Sequence, residues 1–462
     1  TNITVVNNQT SVDISKKGLK GTEIAGADIR ILDKYGNQVQ IGGKDVKWVS
    51  DGSVHTVTGL EIDTEYTLHE EAAPSGYKVI TDVKFTINEK NEVTITQQAT
   101  NGKSEIVKGT LVITDDLTEI KVSKKAISGD KELSGAKLQI LDQSGKVVEL
   151  PKYDGKPGTD KLEWVSGGTE KEIKGLKTET KYILHEEVAP NGYTYARDIE
   201  FTIEKDGTLK VGSVVVSNGI VLMEDSLAPE MTKKVYEDND PTYADSWNDA
   251  ADYDISDDVP FRLVGTISKD FASYDKYNYI FVDEMSNGLT LNKGSIKVYA
   301  ATGANMAAVN SSKATGAGGT LIPDTNYDVQ VNGQKFTVAF DDLKSVNGVT
   351  ANSYIVVEFT AALNESAVIK NPGNPNQAKL IYSNNPNNSQ GGIDKKKPED
   401  TPKDNDHKET DNDYVAVFTF DSTATKIDGT TKQAIDGASF AVFADKTAAT
   451  AAAADPTKLN DA

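Results

Sequence analysis

Cysteine is absent from the 462 residues of this chain, so neither disulfides nor cysteine zinc sites can brace its fold. No run of apolar residues approaches the ~18 that a membrane-spanning helix needs, and we predict no membrane insertion. Basic residues are too few to balance the acidic ones, which leaves a net charge of −21. Such a charge argues against nucleic acid and anionic membranes as partners, because both favour basic patches.

Motifs of enzymes and cofactor sites are also missing. His69 and His185 recur in equivalent segments, but they share the strand parity of Thr67 and Ile183 and are predicted to face solvent. The acidic stretch Glu237–Asp258 leaves calcium binding open as an alternative, although it lacks the glycine and terminal glutamate of an EF-hand loop. Nothing resembles a nucleophile elbow or a phosphate loop. We therefore predict no metal site, no cofactor and no enzyme that turns over a substrate.

The most informative feature present is a segment that occurs twice. YTLHEEAAPSGY, residues 66–77, returns as YILHEEVAPNGY at residues 182–193. The segments before and after it also recur, and equivalent positions lie 108 to 116 residues apart. A nearly constant spacing of this kind indicates a tandem duplication with small changes in loop length.

Strand signals dominate both copies and the region that follows them. Runs of five to eight residues alternate between apolar and polar side chains, with a turn signal every 8–12 residues, which predicts an all-β fold of sandwiches. We predict domains at residues 8–117, 118–227 and 228–420. The third contains a polar linker or insertion near 384–413 that is too charged to pack, and residues 421–462 begin a further copy of the repeat. Because that copy stops early, we expect the chain to be part of a longer one.

The same alternation directs three ionisable side chains into the apolar face of each repeat. Burying a charged group without a partner costs several kcal/mol, so a single such set would suggest a misassigned strand phase or a plain buried ion pair. Matching phase at all six positions favours a functional arrangement. The predicted sets are Lys16, Glu70 and Asp115 in the first repeat, and Lys124, Glu186 and Asp225 in the second.

A buried lysine between two buried acids has a distinctive chemistry. Desolvation favours the neutral amine, which is a nucleophile, and the neutral carboxyl, which is an electrophile. A protonated glutamate can polarise the aspartate carbonyl and carry the proton while water leaves. The product is an amide between the lysine and aspartate side chains, formed once and never turned over.

Both repeats resemble the collagen-adhesin B-type (CnaB) domains of Gram-positive surface proteins, through the motif Y-x-L-x-E-x-x-A-P-x-G-Y. ISKK with LVITD, and VSKK with VLMED, resemble in particular the streptococcal fibronectin-binding-protein module from which self-ligating peptide tags were engineered. The resemblance implies Ig-like (reverse-Ig) β-sandwiches and autocatalytic isopeptide bonds. It assigns the bonds to Lys16–Asp115 and Lys124–Asp225, with Glu70 and Glu186 as catalytic acids.

The third unit resembles the fimbrial isopeptide-forming domain of sortase-assembled pilin subunits, through APEMTKKV, W-x-DAADYDI-x-DDVPF and NQAKLIYSNNP. The resemblance implies a larger β-sandwich with a bond between Lys and Asn that releases ammonia. Strand parity selects Lys233 and Asn376, and Asn384 has the same parity and stays open. For the acid, parity with Val259 favours Asp257, and Asp283 in YIFVDEM is the alternative.

These features together predict a structural subunit or stalk of a pilus or wall-anchored adhesin, on the surface of a Gram-positive bacterium. Its expected partners are neighbouring pilus subunits joined by sortase. The alternative is an adhesin that binds host matrix proteins or glycans. Neither Pro151-Lys152 nor Pro402-Lys403 follows a tyrosine, so the Tyr-Pro-Lys motif of shaft pilins is missing, and no LPXTG signal is visible. Polymerisation therefore stays open at this stage.

Overall fold

The computed structural model describes residues 9–152, 158–238, 245–388, 393–443 and 446–455. Short β-strands dominate it, which confirms the prediction of an all-β fold. Three separate cores of buried apolar side chains correspond to the two repeats and the larger third unit. Within these described ranges, no helix is both long enough and apolar enough to cross a membrane.

The first module is a sandwich of two sheets. One sheet has the order β10-β11-β1-β6 and the other β5-β2-β7-β8-β9, with β3 and β4 forming a small hairpin. The first and last strands, β1 and β11, are parallel neighbours. The strands are β1 Ser11–Lys17, β2 Ala25–Leu32, β3 Gln40–Ile41, β4 Lys44–Asp45, β5 Lys47–Asp51, β6 His55–Thr58, β7 Tyr66–Ala72, β8 Val83–Ile87, β9 Val93–Gln97, β10 Lys103–Val107 and β11 Thr110–Thr114.

The second module repeats this plan. Its sheets have the orders β17-β12-β22 and β16-β13-β18-β19-β20-β21, with a small hairpin of β14 and β15, and its first and last strands, β12 and β22, are again parallel neighbours. The strands are β12 Glu119–Ala126, β13 Lys137–Leu141, β14 Glu149–Pro151, β15 Thr159–Lys161, β16 Glu163–Val165, β17 Lys171–Lys174, β18 Lys181–Val188, β19 Ile199–Ile203, β20 Leu209–Val211, β21 Val214–Val216 and β22 Ile220–Asp225.

The third module is a larger sandwich. Its sheets have the orders β24-β23-β26-β32-β28-β29 and β25-β35-β33-β27-β31-β30, and β34 pairs with β33. The elements are β23 Met231–Glu237, β24 Ser246–Asn248, β25 Ala250–Asp252, β26 Asp258–Thr266, β27 Tyr279–Met285, β28 Leu289–Ala301, α1 Met306–Asn310, β29 Thr320–Leu321, β30 Asp328–Asn332, β31 Lys335–Phe340, β32 Tyr354–Leu363, β33 Asn374–Ser383, β34 His407–Glu409 and β35 Asp413–Phe418. Short 3-10 turns lie at Phe271–Ser273, Thr315–Gly318, Asp324–Asn326, Leu343–Ser345 and Pro398–Asp400.

The polar tract near 384–413 does not behave as the solvated linker that its composition predicts. The described part of the tract lies against the outer face of the seven-stranded sheet, where Ile393 packs with Ile280 and Ile381. The ring nitrogen Nε2 of His407 lies 2.8 Å from the Asn278 side-chain oxygen. The reason is that β27 is apolar on both faces and needs a cover, and a few apolar side chains in the tract suffice to provide it.

The predicted fourth unit contains little regular structure. Residues 421–443 form only an isolated bridge between Ile427 and Ala434, which is the counterpart of the bridge between Lys17 and Glu23 in the first module. A short helix, α2 Lys446–Ala454, follows. Local turn geometry of the repeat is therefore present here, but the described residues form no sandwich.

Candidate functional sites: buried lysine–carboxyl clusters

In the first module, the three side chains selected by strand parity meet in the core. Lys16 is 2% exposed, Glu70 1% and Asp115 0%. The Lys16 amine forms an ion pair with Asp115 and lies 2.7 Å from Glu70 Oε1. Lys16 comes from the sheet that contains both chain ends of the module, whereas Glu70 comes from the opposite sheet through β7. The cluster thus joins both layers of the sandwich.

The second module reproduces this geometry. Lys124 forms an ion pair with Asp225, and its amine lies 2.8 Å from Glu186 Oε1. The other oxygen of each glutamate accepts one backbone hydrogen bond, from the amide of Ile80 at 2.8 Å in the first module and from that of Ala196 at 2.9 Å in the second. These bonds orient each carboxyl group so that its free oxygen faces the lysine.

Burial makes both aspartates and Glu70 reluctant to ionise. Loss of water around the carboxyl raises the pKa of Asp115 to about 7 and that of Asp225 to about 8, and the neighbouring glutamate carboxylate adds to the rise while the lysine opposes it. Burial also raises the pKa of Glu70. Among the described residues, the second oxygen of each aspartate has no hydrogen-bond partner. Each cluster can therefore keep a carboxyl proton near neutral pH, as general acid chemistry requires.

The third module places Lys233, Asp283 and Asn376 together, each 0% exposed. The Lys233 amine forms an ion pair with Asp283 and lies 5.1 Å from the ring centres of Phe261 and Phe359. Burial lowers the pKa of Lys233 and raises that of Asp283, and the ion pair opposes both shifts.

The Asn376 amide lies close enough to Asp283 to lower the pKa of that carboxyl. Register explains the proximity, because Asp283 of β27 is paired with Ala378 of β33 and Met285 is paired with Asn376. Neither side-chain atom of Asn376 has a well-formed hydrogen bond within the described residues. Asp283 therefore lies beside both the Lys233 amine and the Asn376 amide.

The choice of Asp257 as the third acid is corrected by the structure. Asp257 is exposed, and its carboxyl accepts the backbone amide of Asp254 at 3.0 Å. It precedes β26, so its parity with Val259 does not bring it into the core. Asn384 is also excluded, since its side chain donates to the Asn405 carbonyl at 3.1 Å, and it belongs to the contact with the second module.

The recurring histidines each lie beside one aspartate. His69 and His185 are partly exposed, and their Nδ1 atoms lie 2.7 and 2.8 Å from Asp82 and Asp198. In the part of the chain that the structure describes, no group of three potential ligands is close enough to hold a metal ion. The acidic stretch weighed for calcium falls partly on residues 239–244, which lie outside the described residues.

Two family models match most of this architecture. The prealbumin-like fold domain of the SpaA type matches residues 10–103 and 118–215. The Cna-B-like domain of Gram-positive pilin backbone subunit 2 matches residues 255–386.

Individual relatives were also found. The trypsin-resistant surface T6 protein of Streptococcus pyogenes serotype M6 is 28% identical over 167 residues, which cover 35% of this chain and 27% of that protein. The chain therefore matches about a quarter of the length of this curated relative.

Solved structures similar to the chain include two pilins. The T6 backbone pilin of serotype M6 S. pyogenes has a TM-score of 0.43 at 17% identity, covering 68% of this chain and 67% of that one. The major pilin subunit BcpA of Bacillus cereus has a TM-score of 0.40 at 19% identity, covering 69% and 74%. The chain thus carries two SpaA-type prealbumin-like domains followed by a Cna-B-like domain of the kind found in Gram-positive pilin backbone subunits.

Proposed function

We propose that this chain is a stalk subunit of a cell-surface pilus whose three sandwiches are each closed by an isopeptide bond that the protein forms itself. The observation that carries the proposal is the recurrence, in three modules, of a fully buried amine against a fully buried carboxyl. For a plain ion pair in such a place, the free energy of removing both charges from water usually exceeds the free energy gained from their attraction. Condensation to a neutral amide removes that cost.

The reaction balances without a cofactor. In the first two modules the neutral lysine Nζ attacks the aspartate Cγ, a C–N bond forms, and the aspartate hydroxyl leaves as water after it takes a proton. Glu70 and Glu186 receive the proton of the amine and pass it to the leaving oxygen. In the third module Lys233 attacks the amide carbon of Asn376, ammonia leaves, and Asp283 carries the proton. Asp283 replaces Asp257 in this role.

The position of the bonds supports a mechanical purpose. In the first module Lys16 lies on the first strand and Asp115 directly follows the last strand. In the second module Lys124 lies on the first strand and Asp225 is the final residue of the last strand, β22. Tension that enters at one end of a module then passes through the bond, and the intervening residues of the sandwich carry none of it. Loops of 99 and 101 residues are closed, and by analogy with disulfides each closure stabilises by at most about 4–5 kcal/mol.

Intact mass spectrometry of the purified chain tests the chemistry. We expect a deficit of two waters and one ammonia relative to the sequence. Lys16→Ala should restore one water and leave the other two losses in place, with Lys17→Ala as the matched control because its side chain is only partly buried. A wild-type mass equal to that of the sequence would overturn the proposal.

The assembly role needs a separate test. We infer that the partners are neighbouring pilus subunits joined by sortase at the cell wall. Sortase-dependent high-mass ladders on the producing cell would support this inference. Saturable binding to host matrix proteins or glycans without ladders would instead support the alternative of an adhesin.

A further inference from the structure

Three consecutive backbone amides follow the glutamate-bearing motif of the first module, and each has a different kind of partner. Lys78 N donates to the Asp116 carbonyl at 3.0 Å, next to the reactive aspartate. Val79 N donates to the Lys205 carbonyl of the second module at 2.9 Å. Ile80 N donates to Glu70 Oε2 at 2.8 Å.

The second module uses the equivalent three amides in the same way. Thr194 N donates to the Ser226 carbonyl at 2.9 Å, directly after Asp225. Tyr195 N donates to the Asn384 carbonyl of the third module at 3.0 Å. Ala196 N donates to Glu186 Oε2 at 2.9 Å. In both modules, therefore, the amide beside the one that holds the glutamate is held by the next module.

Side chains strengthen the second of these junctions. Arg197 Nη1 donates to the carbonyls of Ser273 and Pro386 at 2.8 and 2.7 Å. The Asn387 side chain accepts from Asp198 N at 2.7 Å and donates to the Ala196 carbonyl at 2.8 Å. The third module thus binds the segment on both sides of the amide that orients Glu186.

This arrangement matters because segments between strands are mobile until their backbone groups are bound. Each glutamate carboxyl receives only one backbone hydrogen bond among the described residues, and that bond aims the other oxygen at the lysine. General acid–base catalysis depends on such positioning. Any contact that fixes the segment also fixes the acid.

We propose that docking of each following module positions the catalytic glutamate of the module before it, so that the isopeptide bond of a module forms at full rate only after its successor has folded and docked. Arg197 and Asn387 are then positioning residues for Glu186, although neither touches the reacting atoms. The inference rests on the proposed function, since it concerns the rate of the same condensation.

The test uses the full chain carrying Arg197→Ala and Asn387→Ala together. Protein is made in a short pulse of cell-free synthesis, quenched in denaturant at intervals and digested, and the cross-linked peptide of each module is quantified. We expect the Lys124–Asp225 bond to form roughly tenfold more slowly than in the wild type. This factor is smaller than the ~100-fold or more by which a positioned acid accelerates a reaction, because the variant still contains Glu186. The Lys16–Asp115 bond of the same molecules should form at the wild-type rate.

A matched pair of substitutions in the second module, Lys174→Ala with Asn218→Ala, changes an exposed cation and an exposed amide away from the junction and should leave both rates unchanged. To separate positioning from folding, the unfolding midpoint of the second module is measured with Glu186→Gln present, with and without the junction substitutions. The inference requires similar midpoints.

The outcomes are distinguishable. An unchanged rate for the Lys124–Asp225 bond in the junction variant, or a slowed rate matched by loss of folding, overturns the inference and leaves the proposed function intact. Absence of any cross-linked peptide from the wild-type chain overturns the proposed function itself.

Discussion

Lys124 and Glu186 belong to opposite sheets of the second module, yet the Lys124 amine lies only 2.8 Å from Glu186 Oε1. The contact exists because β12 and β18 each direct one polar side chain into an otherwise apolar layer. The same relationship joins Lys16 and Glu70 at 2.7 Å. A pair of this kind costs desolvation in a purely structural role, which makes its duplication informative about function.

The first prediction concerns the acid itself. Glu186→Gln keeps the shape of the side chain but cannot carry a proton. The second module should therefore show neither the loss of one water nor the Lys124–Asp225 cross-link. Because a closed loop of 101 residues is lost, we expect the unfolding midpoint of this module to fall by at least about 10 °C in calorimetry. Glu187→Gln, at the neighbouring exposed position, should change neither value. Equal midpoints for the two variants would contradict the assignment.

The second prediction concerns pH. A carboxyl with a pKa of about 7 or 8 in the folded, unreacted module and an ordinary pKa of ~3.9 when unfolded favours folding most strongly below pH ~4. That contribution to stability is lost as the pH rises through the pKa of the folded module. Over the same range the aspartate loses its carboxyl proton and stops being an electrophile.

Pulse-synthesised protein moved into buffers from acidic to alkaline pH should therefore cross-link more slowly as the pH rises. The Lys16–Asp115 and Lys124–Asp225 bonds should both slow as the pH rises through about 7 to 8. Peptide mapping reports both rates in one sample. Rates that rise steadily through this range would contradict the role given to the carboxyl proton.

The third prediction distinguishes the two acids considered for the third module. Asp283→Asn should abolish the loss of ammonia, because it removes the only carboxyl found in contact with the Lys233 amine among the described residues. It also leaves a buried amine without a counter-charge, so the module should be destabilised by roughly 3–5 kcal/mol. Asp257→Asn should preserve both the loss of ammonia and the stability. Intact mass and calorimetry of the two variants decide between them.

The fourth prediction concerns a buried arginine outside the reactive cluster. The Arg262 guanidinium stacks 4.1 Å from the Trp247 ring, pairs with Glu358 at 2.6 Å, and donates to the carbonyls of Ser312 and Ala314 at 2.7 and 3.1 Å. It therefore holds the loop between β28 and β29 against the sheet.

Arg262→Lys keeps the charge but loses the planar fork, so we expect a loss of roughly 2–4 kcal/mol and faster hydrogen exchange over residues 306–318. The partly exposed Arg30 of the first module is the matched control, and Arg30→Lys should cost under about 1 kcal/mol. Unchanged exchange in the loop would contradict the anchoring role.

Much of this organisation is predictable from the sequence, for a physical reason. In the repeats, one face of each strand is apolar and the other polar, so alternation fixes which side chains enter the core, and Lys16, Glu70 and Asp115 stand out as exceptions on the apolar face. The duplication then distinguishes a true buried polar residue from a misassigned strand phase, because the second repeat carries a polar residue at each equivalent position.

In the third module strand parity selects the buried Lys233 and Asn376, but it fails for the acid because β27 is buried on both faces. β27 has the sequence YIFVDEM and only one exposed residue, Glu284, so alternation says nothing about the position of Asp283. Parity also cannot say where a strand begins, and Asp257 falls just outside β26. The cover provided by the polar tract was missed for a related reason, since composition averages hide single apolar contacts such as Ile393.

The placement of Asn376 has a consequence for a chain under load. In the first two modules the proposed cross-link reaches the last strand or the residue after it, but in the third the chain continues past Asn376 through the covering tract to β35, which ends at Phe418. These 42 residues would remain outside the closed loop. Pulled straight, they would span at most roughly 140–150 Å, so the proposed stalk would combine two links that resist extension with one that can lengthen under load.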